Sequence, residues 1–244
     1  MEKRMEQDMT HNGEISLSRR TIVRVLAATT LFLLSVSIAG QLAKYALGQQ
    51  VYRFNRLFYV DFEGNIPTFF SSILLILASS LLWFITVLKK SSQDPYRRHW
   101  AILAFIVLFM AVDEAVGLHE LLDKVRWVPG HRKGGLFHYG WVLFGMAMVI
   151  AVAFSYLRFF FALPARTRMQ FFTAAAVFVS GAIGVEVLAG NYSASHGGEE
   201  SLQFSMFATV EEGLEMAGVI VLINALLNYV IDHHEVRLRF DHFK

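Results

Sequence analysis

The chain has 244 residues, of which 55% are hydrophobic and 17% charged, with a mean hydropathy of +0.45. Soluble domains carry roughly 45–50% apolar and about 25% charged residues, so this composition is that of a membrane protein. The 0 cysteines exclude thiol redox chemistry and Cys-ligated zinc or iron–sulfur sites, 4 prolines and 17 glycines exclude collagen-like and low-complexity classes, and a net charge of +2 gives no reason to expect a nucleic-acid partner.

About 20 apolar residues at 1.5 Å per residue cross a hydrocarbon core of roughly 30 Å. Six such runs are predicted, at 25–47, 66–88, 100–120, 139–157, 171–188 and 204–230. The expected fold class is all-α, a six-transmembrane-helix bundle. Residues 1–20 form a polar tail, 21–232 a single membrane domain and 233–244 a second short tail. The first run is long and lacks a small-residue cleavage site, so it reads as a retained helix. With six spans both ends share a side. That side and its loops hold 15 of the 22 Lys and Arg, which predicts that both termini are cytoplasmic.

The informative residues are the ionisable ones within the predicted spans. Counted from the cytoplasmic ends, Asp113 lies about 20 Å up the third helix, Glu186 about 22 Å up the fifth and Glu215 about 22 Å up the sixth. Glu114 adjoins the first of these. His119, Glu120, Glu211 and Glu212 form a second tier closer to the outer surface, His138 opens the fourth helix, and Asp61 and Glu63 precede the second. A charge at mid-membrane costs about 2.5–3.5 kcal/mol on insertion scales, so these groups should face one another rather than lipid. Spacing agrees: Asp113, Gly117 and Glu120 recur at i, i+4 and i+7, and Glu215 follows Glu211 by four and Glu212 by three.

Converging carboxylates repel in low dielectric, so they must be protonated, bridged by water or neutralised by a cation. Glu211 and Glu212 fall in the first turns of the predicted sixth helix, where the dipole favours an anion and simple capping accounts for them. Asp113, Glu114 and Glu186 fall near C-terminal ends, where it does not. Hard carboxylate oxygens with one or two imidazoles suit iron, zinc or manganese, and helical bundles that gather Glu and His are the architecture of di-iron carboxylate proteins. The metal candidates are therefore Asp113, Glu114, His119, Glu120, His138, Glu186, Glu211, Glu212 and Glu215. The paired Glu-x-x-His motifs of such sites are missing, because Glu114 and His119 are five apart and Glu212-x-x-Glu215 contains no histidine. A proton or cation relay and a structural hydrogen-bonded network stay open as alternatives.

Glu63, Arg132 and Lys133 are candidates for substrate binding, the two basic residues lying with His131 in a Gly-flanked outer loop that suits an anionic head group or simply solvent. His196 to Glu200 forms either a lid or a polar turn. Trp127, Tyr139, Trp141 and Tyr192 read as an interfacial aromatic belt, and His233-His234 falls far from every other candidate ligand. Phosphate-binding glycine loops, the His-Glu-x-x-His zinc motif and the Gly-x-Ser-x-Gly elbow are absent, which removes the commonest nucleotide and hydrolase readings.

Three stretches together resemble a widespread family of uncharacterised bacterial multi-pass membrane proteins: Glu63-Gly-Asn65-Ile-Pro67-Thr68-Phe-Phe-Ser71-Ser72 entering the second helix, Asp113-Glu114-Ala-Val-Gly-Leu-His119-Glu120 ending the third, and Glu211-Glu212-Gly-Leu-Glu215-Met216-Ala-Gly218 opening the sixth. The resemblance covers most of the membrane region. It implies a bacterial inner-membrane setting and no particular reaction. Alkaline ceramidase-type hydrolases are less similar, since their three-His zinc set is not reproduced.

The residues themselves support three expectations. One is a metal-dependent membrane enzyme, a hydrolase or oxidase, with a periplasm-facing site and a lipid-like substrate drawn from the surrounding membrane lipid. Another is a transporter or channel component that relays protons or cations through the same carboxylates, and a third is a membrane scaffold. The inner halves of the spans are almost free of ionisable residues, which favours a one-sided site over a through-pathway. Oligomeric state is not written in the sequence.

Overall fold

A computed structural model describes residues 18–119 and 140–233, and all regular elements among them are helical. They are α1 (Arg19–Tyr45), α2 (Tyr52–Phe58), α3 (Ile66–Ser91), α4 (Arg97–Val116), α5 (Gly140–Ala162), α6 (Ala165–Val179), a π-helical segment (Ser180–Val185), α7 (Glu186–His196) and α8 (Leu202–His233). Six spans are long and apolar enough to cross a membrane, α6 to α7 counting as one continuous span of 32 residues. The side chains of α1 and α5 point largely outward, as Leu31, Phe32, Phe144 and Phe154 show, each at least 60% exposed. Apolar groups on the outside of a bundle are what a hydrocarbon surround requires.

The helix ends have identifiable chemical causes. Asn65 caps α3, accepting from the Thr68 N–H at 3.1 Å, while its own amide donates to the Tyr59 carbonyl at 2.6 Å and Pro67 sits in the first turn. Ser201 accepts from the Phe204 N–H at 3.1 Å and so starts α8. Gly117 and Gly197 adopt left-handed φ values of 61° and 82° and terminate α4 and α7.

The core is built by α3, α4 and α8. Leu74, Leu82 and Ile85 of α3 meet Trp100 of α4 and Met216, Ile223 and Leu226 of α8, all essentially inaccessible. Ser79 donates to the Ala104 carbonyl at 2.8 Å and ties α3 to α4. α6 approaches α8 closely because residue 218 is glycine: a Cβ there would come within 2.7 Å of the Phe178 nitrogen and 2.9 Å of the Ala174 carbonyl. At the end of the bundle where α1 begins and α8 finishes, here called the base, Arg19 donates to Asn224 at 2.9 Å and Lys89 pairs with Asp94 at 3.0 Å. The opposite, far end collects the carboxylates.

The structure corrects the expected elements in three places. The third helix stops at Val116, because Gly117 turns left-handed, and Glu120 of the expected Asp113, Gly117 and Glu120 stripe lies outside the described residues. The fifth span does not end at 188: a π segment interrupts it and the helix resumes to His196, leaving Glu186 in the first turn of α7 rather than at a C-terminus. The sixth begins at Leu202, so Glu211 lies about two and a half turns inside it and the capping account of Glu211 and Glu212 is wrong.

Candidate functional site

Each far-end carboxylate is delivered by a different local device. Gly117 reverses the chain after α4 and brings His119 back onto Asp113, with the His119 N–H 2.8 Å from Oδ1 and ring Nδ1 3.1 Å from Oδ2. A side chain at 117 would run into the Glu63 carboxyl group, so the loop before α3 closes directly over this turn. Glu114, on the next face of α4, accepts a hydrogen bond from Ser71 of α3. The π segment widens the fifth span where Gly181 lies against α8, and a Cβ at 181 would come within 2.7 Å of the Glu211 carbonyl and 3.2 Å of Glu215 Cγ. Such bulges inside α-helices recur at functional sites.

Glu186 then stands between two partners. Trp141 of α5 donates its indole N–H to Glu186 Oε1 at 3.0 Å, and the Glu186 and Glu211 carboxyl groups hydrogen-bond to each other. On α8, Glu212 lies in the field of Glu114, and Glu215 in the fields of Glu114, His119, Glu186 and Asp113. Five of the spans thus contribute: α3 through Ser71, α4 through Asp113 and Glu114, α5 through Trp141, α7 through Glu186 and α8 through Glu211, Glu212 and Glu215. No Lys or Arg among the described residues forms an ion pair with these six carboxyl groups. Below them Met216, Ile223 and Leu226 close the bundle axis with apolar packing.

Burial by itself lowers the His119 pKa, but the hydrogen bond and charge of Asp113, with the charges of Glu63 and Glu215, outweigh it and raise it to about 9. The bond to Asp113 thus favours the imidazolium form of His119, in which both ring nitrogens are donors. His119 is paired with Asp113, and its ring is tilted at 56° to that of Trp141 with centroids 5.2 Å apart. Burial, with the adjacent Asp61 adding to it, pushes the Tyr59 phenol up.

Asp113, Glu114, Glu186, Glu211, Glu212 and Glu215 thus act electrostatically on one another at the far end. Among the described residues, however, no three His, Asp or Glu side chains are arranged to hold a metal ion. Glu120, His131, Arg132, Lys133 and His138 lie outside the described residues, as do Trp127, Tyr139 and His234. Glu199 and Glu200 sit exposed in the turn before α8, and His196 ends α7 stacked on Tyr192, centroids 4.2 Å apart, which fits a helix end rather than a lid.

Asp61, expected in the cluster from its place before the second span, acts electrostatically on Glu186, Glu211 and Glu212 and hydrogen-bonds with Tyr59. The roles of Ser71 and Trp141 beside Glu114 and Glu186 were not expected, and Trp141 is more than a belt residue. Nothing in the sequence singles out which of many Ser and Trp residues meets a glutamate on another helix.

A family profile described as a domain of unknown function, DUF8692, matches residues 20–230. No curated protein and no solved structure matches the chain.

Proposed function

The chain belongs to the DUF8692 family, and as that description assigns no activity, we propose from the site itself that the protein is a membrane-embedded enzyme whose far-end carboxylates hold a cation and act on a lipid-like substrate. One observation carries this: six carboxyl groups from three spans converge with the His119 imidazolium as their only basic partner among the described residues. So much negative charge in a low-dielectric bundle needs further positive charge beside it. A divalent metal, iron, zinc or manganese, is the first source, with Glu186, Glu211 and Glu215 as its ligands and oxygen polarisation or water activation as its chemistry. Side chains would have to rotate toward a common point to bind it. The apolar axis below the site supports a one-sided site over a transmembrane relay. By the charge count, the site faces the periplasm of a bacterial inner membrane.

A second reading has its own support. Two neighbouring carboxyl groups hydrogen-bond to each other only through a shared proton, Glu186 and Glu211 are such neighbours, and a proton held between them would supply the same positive charge without a metal. Elemental analysis of purified protein by mass spectrometry, with an optical spectrum, separates the two. Stoichiometric metal that is lost in Glu186→Gln supports the metal site. Metal-free folded protein, with an infrared carbonyl band of protonated carboxyl groups that disappears in Glu186→Gln, supports the proton site. Metal-free protein without that band overturns both.

A further inference from the structure

α5 is held to α4 at two places and stands off between them. At the base, the Tyr156 hydroxyl donates to the His99 carbonyl at 3.0 Å, and Phe159 packs edge-on against Trp100 with centroids 5.0 Å apart. At the far end, the His119 and Trp141 rings meet. Between these ties lies a groove of about 520 Å³, walled by Ile102 and Ile106 of α4 and by Ala147, Met148 and Ala151 of α5. Its volume is that of a ligand pocket, for which about 300–1,000 Å³ is usual. Small residues at 147 and 151, one helical turn apart, leave the space.

The groove opens outward along its length. Ile102 is 52% exposed and Met148 41%, and the α5 span is the least buried of the six, 11% against 50% for α3 and α8. From Tyr156 at the base to Phe144 toward the far end it follows α5 for about 18 Å, more than half the hydrocarbon thickness. Phe144 is one turn of α5 from Trp141, and Trp141 donates to Glu186. The far end of this apolar groove therefore lies one helical turn from the residue that binds Glu186.

We propose that the groove between α4 and α5 seats the hydrocarbon chain of a single-chain amphiphile whose head group, free of negative charge, reaches Trp141 and Glu186. This rests on the lipid-like substrate proposed above and names its shape and charge. Charge complementarity fixes the head: an anionic head would be driven among six carboxyl groups, whereas a hydroxyl or amine could donate to them. With the head at Trp141, the groove's length fixes the tail, which enters sideways from the bilayer with its end toward Tyr156. Ala147 and Ala151 become the specificity-determining positions for that tail.

The test uses the full chain in lipid nanodiscs with two photoreactive probes, a hexadecanol and a hexadecanoate that each carry a diazirine in mid-chain, and maps labelled peptides. The expected result is labelling by the alcohol concentrated on 99–106 and 144–156, at least about fivefold above the lipid-facing 25–32 segment of α1. Ala147→Phe and Ala151→Phe should each reduce it severalfold while leaving the metal content and carboxyl infrared band of the protein unchanged. The hexadecanoate should label the groove severalfold less, and Glu186→Gln should narrow that difference. Equal labelling of all lipid-facing helices, or labelling indifferent to both groove-filling variants, overturns the chain site. Equal labelling by the two probes overturns the head-group assignment. Loss of the cation site without loss of groove labelling overturns the proposed function but not the groove.

Discussion

The His119 main-chain N–H and ring Nδ1 both reach the Asp113 carboxylate, at 2.8 Å and 3.1 Å, although Gly117 has already ended the helix that carries Asp113. This pair sets the electrostatics of the far end, because it supplies a positive charge facing Glu63 and Glu215. Its contribution to stability has a defined pH range. The His119 pKa is raised from 6.5 to about 9 in the fold, so the stabilisation is fully present below 6.5 and is lost as pH rises through about 9. Thermal unfolding in detergent should show the wild type losing stability between these values relative to His119→Gln, and Asp113→Asn should remove most of the difference. A His119→Gln profile parallel to wild type across that range would show that the pair adds nothing.

Gly117 and Gly197 separate backbone conformation from side-chain contact. Both are left-handed, at φ 61° and 82°, but a Cβ at 117 meets Glu63 whereas one at 197 meets nothing within 4 Å. Gly197→Ala should cost about 1–2 kcal/mol, the left-handed penalty alone. Gly117→Ala should cost more and also displace Glu63. Equal melting temperatures for the two variants would contradict the closed turn.

Gly181 and Gly184 make a similar pair inside the fifth span. A Cβ at 181 would push on the Glu211 carbonyl and on Glu215, whereas 184 faces open space. Gly181→Ala should therefore impair metal content or the carboxyl infrared band without changing any charged residue, and Gly184→Ala should leave both intact. Impairment by Gly184→Ala alone would mean that the π segment does not position the site through its contact with α8.

Glu186, Glu211 and Glu215 should behave as a unit. Each of Glu186→Gln, Glu211→Gln and Glu215→Gln is expected to remove most cation binding, and a double substitution to add little to either single one, with coupling of about 0.5–3 kcal/mol. Glu199→Gln and Glu200→Gln should be nearly silent, since both residues are exposed in a turn. Additive losses across the three buried positions would remove the case for one shared cation.

Topology is open to direct measurement. A reporter fused after Lys244 should read as cytoplasmic and one inserted at Gly197 as periplasmic, because 15 of 22 Lys and Arg flank the base side. Reversed signals would place the carboxylates on the cytoplasmic side and call for a cytosolic rather than periplasmic head group.

The sequence by itself determined that there are six apolar spans and that they carry Asp113, Glu114, Glu186, Glu211, Glu212 and Glu215. The reason is energetic: hydrocarbon tolerates runs of about 20 apolar residues and penalises each charge turned toward it. Some local signals were present but were not given their weight. Ser201, three residues before the expected start at 204, caps α8, and Gly117 marks a helix end inside an otherwise periodic stretch. Only the tertiary structure decided who meets whom. Trp141 finds Glu186 across 45 residues of chain, Asp61 joins from a loop, the π segment re-aims the fifth span, and α5 stands off from α4 to leave a groove. These depend on how helices of nearly uniform hydrophobicity rotate and approach one another, which is set by pairwise packing at positions such as Gly181, Gly218, Ala147 and Ala151 and leaves no periodic trace in the sequence.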